Sequence, residues 1–317
     1  MKTADELIKN YLSDLKFALR GADKATIQDA LADAEEHLRS ALESEGAELE
    51  AEAEAVQNII NEYGEVEEIA QAYKNWEVSL PPALAATPAA RRVVSTSNRT
   101  GPTARTYSGF FGVYADPRAW GGLIYMLISI ITGTLYFSWA VTGLSTSLGV
   151  MVLIIGIPVT ILFLLSFRGI AFLEGRLVEA LLGERMPRRP SFTDRSLPWG
   201  ERLKILLTGK ATWLSWIYMI LMLPLGVIYF SFMVTVLALA LGFVLTPIAT
   251  LVLIGMGIPF GVIQSGDILW TLSDPSAVLL SLLIAALGVV IGTAAMHLAR
   301  LVGKLHGKFA KALLVSE

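Results

Sequence analysis

A chain of 317 residues that is 54% hydrophobic and only 17% charged is too apolar to be one water-soluble globule. Its net charge of −3 hides two opposite parts: 19 acidic and 7 basic side chains up to Glu77, then 18 basic and 9 acidic in the remainder. The absence of Cys excludes disulfides, thiolate catalysis and thiolate metal sites. The opening MKTADELIKNYL has no uninterrupted apolar core and no small-residue cleavage pattern, so no signal peptide is expected and the acidic head is expected in the cytoplasm.

Residues Thr3 to Arg20 place Leu7, Tyr11, Leu12, Leu15, Ala18 and Leu19 at helical spacing, stopped by Gly21. Further helices are predicted from about Asp23 to Glu45, from Leu49 to Tyr63 with Gly64 as the stop, and from Glu65 to Trp76. The result is a helical bundle over residues 1–78, with a thin, alanine-rich core. Three groups of residues stand out: Tyr11-Leu12-x-x-Leu15-x-x-Ala18-Leu19; Glu35-Glu36-His37-Leu38; and Tyr63-Gly64-Glu65-Val66-Glu67-Glu68-Ile69-Ala70 with Tyr73. In them the head resembles the HAAS signalling domain, a small helical module at the N-terminus of bacterial membrane proteins. The family usually has Pro where this chain has Val66. His37 could be a phospho-acceptor or metal ligand, but without a second His or a matched acid nearby it reads better as a surface residue.

Residues 79–109 lack periodicity and are rich in Pro, Ala, Ser and Thr, the composition of a tether. Arg91, Arg92, Arg99 and Arg105 suit a juxtamembrane segment facing anionic lipid, and no folded basic module for nucleic acid surrounds them. From Asp116-Pro117-Arg118-Ala119-Trp120 onward the chain is a membrane body, residues 110–317. Ala119 to Phe167 carry no charge, which predicts two spans joined by a turn around Gly143 to Ser147, the second kinked at Gly156-Ile157-Pro158. Arg168 to Leu182 is predicted to lie on the membrane surface, with Ile170, Leu173, Leu177, Leu181 and Leu182 on one face and Arg168, Glu174, Arg176 and Glu179 elsewhere. The basic loop 184–212 belongs on the cytoplasmic side.

Then the pattern repeats. Trp120 to Thr142 and Trp213 to Thr235, offset by 93, share 10 of 23 residues. Arg300 to Leu314 aligns with Arg168 to Leu182 at an offset of 132, through Arg300, Leu305, Gly307, Lys308 opposite Arg176, Ala312, Leu313 and Leu314. Repeat one is therefore 116–183 and repeat two 213–314, with a 39-residue insertion within 236–279. If Val236 to Ile263 crossed the membrane, the basic C-terminal helix would fall outside. A re-entrant hairpin broken near Pro247 and Gly257-Ile258-Pro259 is expected instead, giving four spans with both termini cytoplasmic.

Asp116-Pro117-Arg118-Ala119-Trp120, Leu135-Tyr136-Phe137, Val141-Thr142-Gly143, Gly156-Ile157-Pro158 and Ala180-Leu181-Leu182-Gly183-Glu184 make the body similar to the family of putative sensor domains of bacterial membrane proteins, over roughly residues 110–315. That resemblance implies a four-span helical module, often joined to signalling parts, with no established enzymatic activity. The fold expected is all-α: a small helical head and a polytopic membrane body of two tandem two-span repeats.

No P-loop, nucleophile elbow or kinase loop occurs, and His37, His297 and His306 lack metal spacing, so no enzyme, metal or cofactor is expected. The predicted spans contain no Asp, Glu, Lys or Arg, which disfavours a pump. Trp120, Tyr125, Tyr136, Trp213, Tyr218 and Tyr229 can be interfacial belts and packing, or the lining of a ligand cavity between the copies. Arg176, Arg188, Arg189, Lys304 and Lys308 are candidates for contact with the membrane surface or a partner. The reading is a multi-pass sensor or adaptor of the bacterial inner membrane, its partners the bilayer and a cytoplasmic regulatory protein or another membrane subunit. The alternative is a permease-like subunit or an accessory partner of an exporter.

Overall fold

The computed structural model describes residues 3–45, 52–79, 109–150, 156–188, 200–201, 204, 208–258, 262–265, 268–271 and 274–315. Nearly all of tether 79–109, much of the basic loop, and Arg189 lie outside them. The elements are α1 (Ala4–Ala18), α2 (Lys24–Glu45), α3 (Glu52–Tyr63), α4 (Val66–Ser79), a 3₁₀ turn (Phe110–Ala115), α5 (Pro117–Val150), α6 (Gly156–Leu182), α7 (Lys210–Gly255), β1 (Val262–Ser265), β2 (Ile268–Thr271) and α8 (Asp274–Leu314). Among the described residues the regular structure is helical apart from one short antiparallel hairpin.

Local chemistry sets the ends of the head helices. Thr3 and Glu6 form a capping box on α1: the Glu6 amide donates to Thr3 Oγ1 at 3.3 Å, and the Thr3 amide to Glu6 Oε2 at 3.1 Å. Asp23 Oδ1 accepts from the Ala25 amide at 2.8 Å at the start of α2. Gly64, at φ 119, makes the turn between α3 and α4 that a residue with Cβ would strain. Ile8, Leu15, Leu19, Leu38, Val56 and Ile59 fill the core with Ala30, Ala34 and Ala70. Arg39 ties Glu35 to Asp5, both at 3.0 Å, joining α2 to α1. His37 is exposed and packs on the Tyr63 ring, centroids 4.8 Å apart.

Tyr11 donates its hydroxyl to the Gly64 carbonyl at 3.0 Å. Burial first, then the negative charge that Tyr63 and Glu67 present, push its phenol up to about 12. A folded-state value above the unfolded one means this contribution is complete below pH ~10 and is lost as pH rises towards about 12. Tyr11→Phe is expected to lower head stability by about 1 kcal/mol at pH 8. It should also flatten the alkaline loss between pH 10 and 12, read from the urea-sensitive part of the helical signal.

Several sequence expectations for the body are corrected. Helix α5 runs unbroken through Gly143 to Ser147, so there is no turn there. The expected kink at Gly156-Ile157-Pro158 falls at the edge of the described residues, since 151–155 lie outside them; from Gly156 onward the chain is α6. Arg168 to Leu182 is the continuation of α6, and Arg300 to Leu314 the continuation of α8, not separate surface helices. Helix α7 passes straight through Pro224 and Pro247. The intact backbone bonds on either side carry the helix through each Pro, and Thr246 and Thr250 turn their hydroxyls onto the Gly242 and Thr246 carbonyls at 3.0 and 2.9 Å. The expected break comes only at Gly257, φ 71, after the helix has ended. The insertion therefore lengthens α7 and α8 and joins them by the hairpin, whose register sets Ser265 opposite Ile268.

Among the described residues, three helices are long and apolar enough to cross a membrane: Pro117–Val150, Thr212–Gly255 and Asp274–Leu314. Four crossings were expected; α6 is not among the three. At 1.5 Å per residue, the 46 residues of α7 extend about 69 Å, twice the ~30 Å of a hydrocarbon core.

The chain divides into two compact units. One holds Met1–Val94, Tyr136–Leu221 and His306–Glu317; the other holds Ser95–Leu135 and Met222–Leu305. In the first, Ala140, Phe163, Phe167 and Met219 are buried, with Tyr136, Leu144, Ile170, Trp216 and Ile220 against them. In the second, Met233, Ala295, Ala299 and Met126 are buried, with Tyr229, Leu237, Val302 and Leu127 around them and Leu123 in the core. A shift of 93 carries Ala140, Tyr136 and Leu144 onto Met233, Tyr229 and Leu237, and a shift of 132 carries Phe163, Phe167 and Ile170 onto Ala295, Ala299 and Val302. A shift back by 93 carries Trp216, Met219 and Ile220 onto Leu123, Met126 and Leu127. The two clusters thus use corresponding positions, and each draws on both aligned stretches of sequence.

Candidate functional site

The aromatic candidates separate. Trp120 is half exposed and donates its indole N–H to the Tyr114 carbonyl at 2.9 Å, while Trp213 is half exposed and lies edge-on to Trp216. Tyr125 is buried with its hydroxyl 3.9 Å from Met222 Sδ, and Tyr229 packs in the apolar cluster of the second unit. Tyr136 and Tyr218 are brought together, and what joins them is Glu174.

Glu174, on α6, is 1% exposed. Tyr136 on α5 donates to Glu174 Oε2 at 2.7 Å, and Tyr218 on α7 donates to Glu174 Oε1 at 2.7 Å. His306 Nε2, on α8, lies 3.1 Å from the Tyr218 hydroxyl, and its ring is 2% exposed. Four helices of one unit each contribute one side chain to this cluster. The expectation that Glu174 belongs to a separate helix lying on the membrane surface is corrected. Leu173 is 65% exposed and Glu174 is inside, the arrangement of a helix whose apolar side faces lipid and whose polar groups pair in the bundle. The carboxylate is tolerated there because both oxygens receive phenolic donors.

A second group of charges sits where the head meets the end of α8. Lys311 Nζ contacts Asp23 Oδ2, the same carboxylate that begins α2, and Glu184 Oε1 at 3.2 Å. The Arg188 amide donates to Asp29 Oδ1 of α2 at 2.7 Å. Arg176 pairs with Glu179 at 2.6 Å and donates to the Pro187 carbonyl, which holds the segment after α6 in place. Arg188 therefore engages the protein's own head, while Lys304 and Lys308 remain exposed. In the other unit Asp116 N-caps α5, accepting from the Arg118 amide at 3.0 Å, and pairs with Arg300 at 3.1 Å. Among the described residues no three His, Asp or Glu come together as a metal site.

Sequence reasoning missed Glu174, His306, Lys311 and Asp23. A signal for two of them was present: the 132-residue offset aligns Glu174 with His306.

No curated protein and no solved structure matches this chain. Residues 10–72 match the HAAS family model. Residues 125–314, more than half of the chain, match the model described as Putative sensor, and the protein therefore belongs to that family, with a HAAS module at its N-terminal end.

Proposed function

We propose that the protein is a non-enzymatic sensor of the cytoplasmic membrane. Its body, two tandem copies of a two-helix unit, registers a membrane or external cue and passes it to the HAAS module, which engages a cytoplasmic regulator. The observation that carries this reading is Lys311, held between Asp23 of the head and Glu184 of the body. Contact between the N-terminal head and the end of α8 supports placing both on one side of the membrane. The nearby Arg185, Arg188, Lys304 and Lys308 favour the cytoplasmic side. The matched positions of the two apolar clusters support the duplication.

A contact built from ion pairs can be opened by changing the charge around it. Lys311 is 13% exposed in its side chain, Asp23 25% and Glu184 29%, so solvent screens the pairs only in part. Lys311→Glu would set three carboxylates together and should weaken docking of the head by on the order of 1–3 kcal/mol. The chain has no Cys, so spin labels can be placed at Lys16→Cys and Lys308→Cys, both exposed positions. Electron–electron distance measurements in lipid nanodiscs should give one narrow distribution at low salt, and a longer, broader one in K311E or at high salt. Identical distributions in both proteins would refute the latch. Purification from native membranes with and without residues 1–78 then tests whether a soluble partner depends on the head.

A further inference from the structure

Helices α1 and α4 lie side by side in the head. Tyr11 donates to the Gly64 carbonyl at 3.0 Å, and Lys74 to the Ala18 carbonyl at 2.8 Å, so the partners follow one another in the same order and the helices run parallel. Between them is a groove of about 450 Å³. Its floor is small and apolar, Ala70 buried with Ala18 and Val66 half-buried, and its rim carries Asp14, Phe17 and Glu67, all exposed. Lys74 also lines the groove, but its ammonium is spent on the last turn of α1. The two carboxylates therefore set the charge of the rim.

Phe17 is 62% exposed, with the Arg20 guanidinium 4.1 Å from its ring centroid. A large ring standing at the edge of an apolar groove, on a head that the sequence sets outside the membrane, is surface that a partner would remove from water. The body does not reach the head through this side chain set: Lys311 and the Arg188 amide meet Asp23 and Asp29 of α2.

Charge selects the occupant. Up to Glu77 the head carries 19 acidic and 7 basic side chains, which repels a second head or an acidic segment and attracts a basic one. Shape selects it too. A trough between two parallel helices, floored by small residues, suits a third helix laid along it, and the 14 residues of α4 give it about 21 Å of length.

We propose that the groove between α1 and α4 is the docking site for a basic amphipathic helix of a cytoplasmic protein. The occupant lays its apolar stripe on Ala18, Val66 and Ala70 beside the Phe17 ring, and sets Lys or Arg against Asp14 and Glu67. The inference rests on the reading that the HAAS module engages a cytoplasmic regulator, and names the chemistry of that engagement.

The test uses the full chain in nanodiscs of zwitterionic lipid, which offer a basic peptide no anionic surface. The probe is a fluorescent peptide of about 14 residues, matched to α4, with Leu on one helical face and Lys on the other. A twin peptide carries Glu in place of each Lys. Fluorescence anisotropy, with empty nanodiscs subtracted, should show saturable binding of the Lys peptide that weakens as salt rises, and none of the Glu twin. Asp14→Lys with Glu67→Lys should weaken binding at least about tenfold, and Phe17→Ala about tenfold. Glu54→Lys with Glu62→Lys changes the net charge equally on α3 and should alter binding by no more than about twofold. All four carboxylates are exposed, so both double variants should keep the native helical signal. Absence of saturable binding, or equal loss in the two double variants, would overturn the proposal. So would contacts between heads of two chains, seen with spin labels at Lys16→Cys and abolished by Phe17→Ala, which would give the groove to a second copy. The sensor reading fails separately, if no soluble partner in native membranes depends on residues 1–78. A partner that needs the head yet is retained by the Asp14 and Glu67 double variant would overturn the groove alone.

Discussion

Replacing Gly133 or Gly226 by Ala is expected to destabilise the membrane body by roughly 1–3 kcal/mol each, although Ala is the better helix former. A Cβ on Gly133 would lie 2.3 Å from the Met222 carbonyl oxygen and 2.8 Å from its carbon. On Gly226 it would lie 2.3 Å from the Ser129 oxygen and 2.8 Å from its carbon. These are backbone atoms, which cannot rotate aside, so α5 and α7 must move apart. Separation would also stretch the bond from Ser129 Oγ to the Gly226 carbonyl, already 3.4 Å. The two glycines are 93 residues apart, as are Ser129 and Met222, so the contact is reciprocal and the two costs should be similar. Without a water-driven force between helices in lipid, such close backbone approach is a main source of association. Gly149 and Gly242 provide the control. A Cβ there meets nothing within 4 Å, and Ala should be neutral or slightly stabilising. Unfolding in mixed detergent micelles, compared across the four variants, reads the difference. Equal stability of all four would remove the packing argument.

The second large effect is expected in the head. Leu15 is fully buried among Ile8, Leu19, Leu38, Val56 and Ile59, with alanines filling the remainder. Leu15→Ala should cost about 3 kcal/mol, from lost burial and a cavity that backbone-close alanines cannot fill. A bundle of this size holds only about 3–5 kcal/mol in total, so the substitution takes most of the head's stability. Limited proteolysis should then cut within α1 to α4 while the membrane helices stay protected. A head as resistant as the native one would show that the membrane body lends it more stability than its own core does.

The head was legible in the sequence because its signals are local. Thr3 with Glu6, Gly21 and Gly64 mark ends that the structure reproduces to within a few residues. The body was less legible because lipid reverses familiar rules. The uncharged run from Ala119 to Phe167 reads as two spans with a turn at Gly143 to Ser147, yet α5 continues through those residues. Elsewhere in the apolar helices hydroxyls bond their own backbone, Thr134 to Ile130 and Thr235 to Ser231. Pro247 read as a break, but a helix with no water to solvate its freed carbonyl groups keeps the remaining bonds. The burial of Glu174 was not legible for a related reason: the apolar side of a helix in lipid faces out, as Leu173 does, and a polar side chain can be the one inside. The hairpin carried a signal that went unused, Gly266-Asp267 between Val-Ile-Gln-Ser and Ile-Leu-Trp-Thr. The charged contact of Lys311 with Asp23 spans 288 residues of sequence, and no pattern in either stretch announces it.

Gly143 and Phe163 belong together: the Phe163 ring occupies the place where a Cβ on Gly143 would stand, with a ring carbon only 1.8 Å from it. At the corresponding positions of the other cluster stand Val236 and Ala295. One cluster joins the smallest residue to a large ring, and the other divides similar volume between two middling side chains. A gene-conversion tract that copied the codon for Phe163 into position 295 alone would force Phe against Val236, and the reverse event would leave Gly143 facing a void. The two coding segments are therefore held apart by their own packing. A chain in which the two aligned segments were made identical at these positions would lose packing in one of the two clusters.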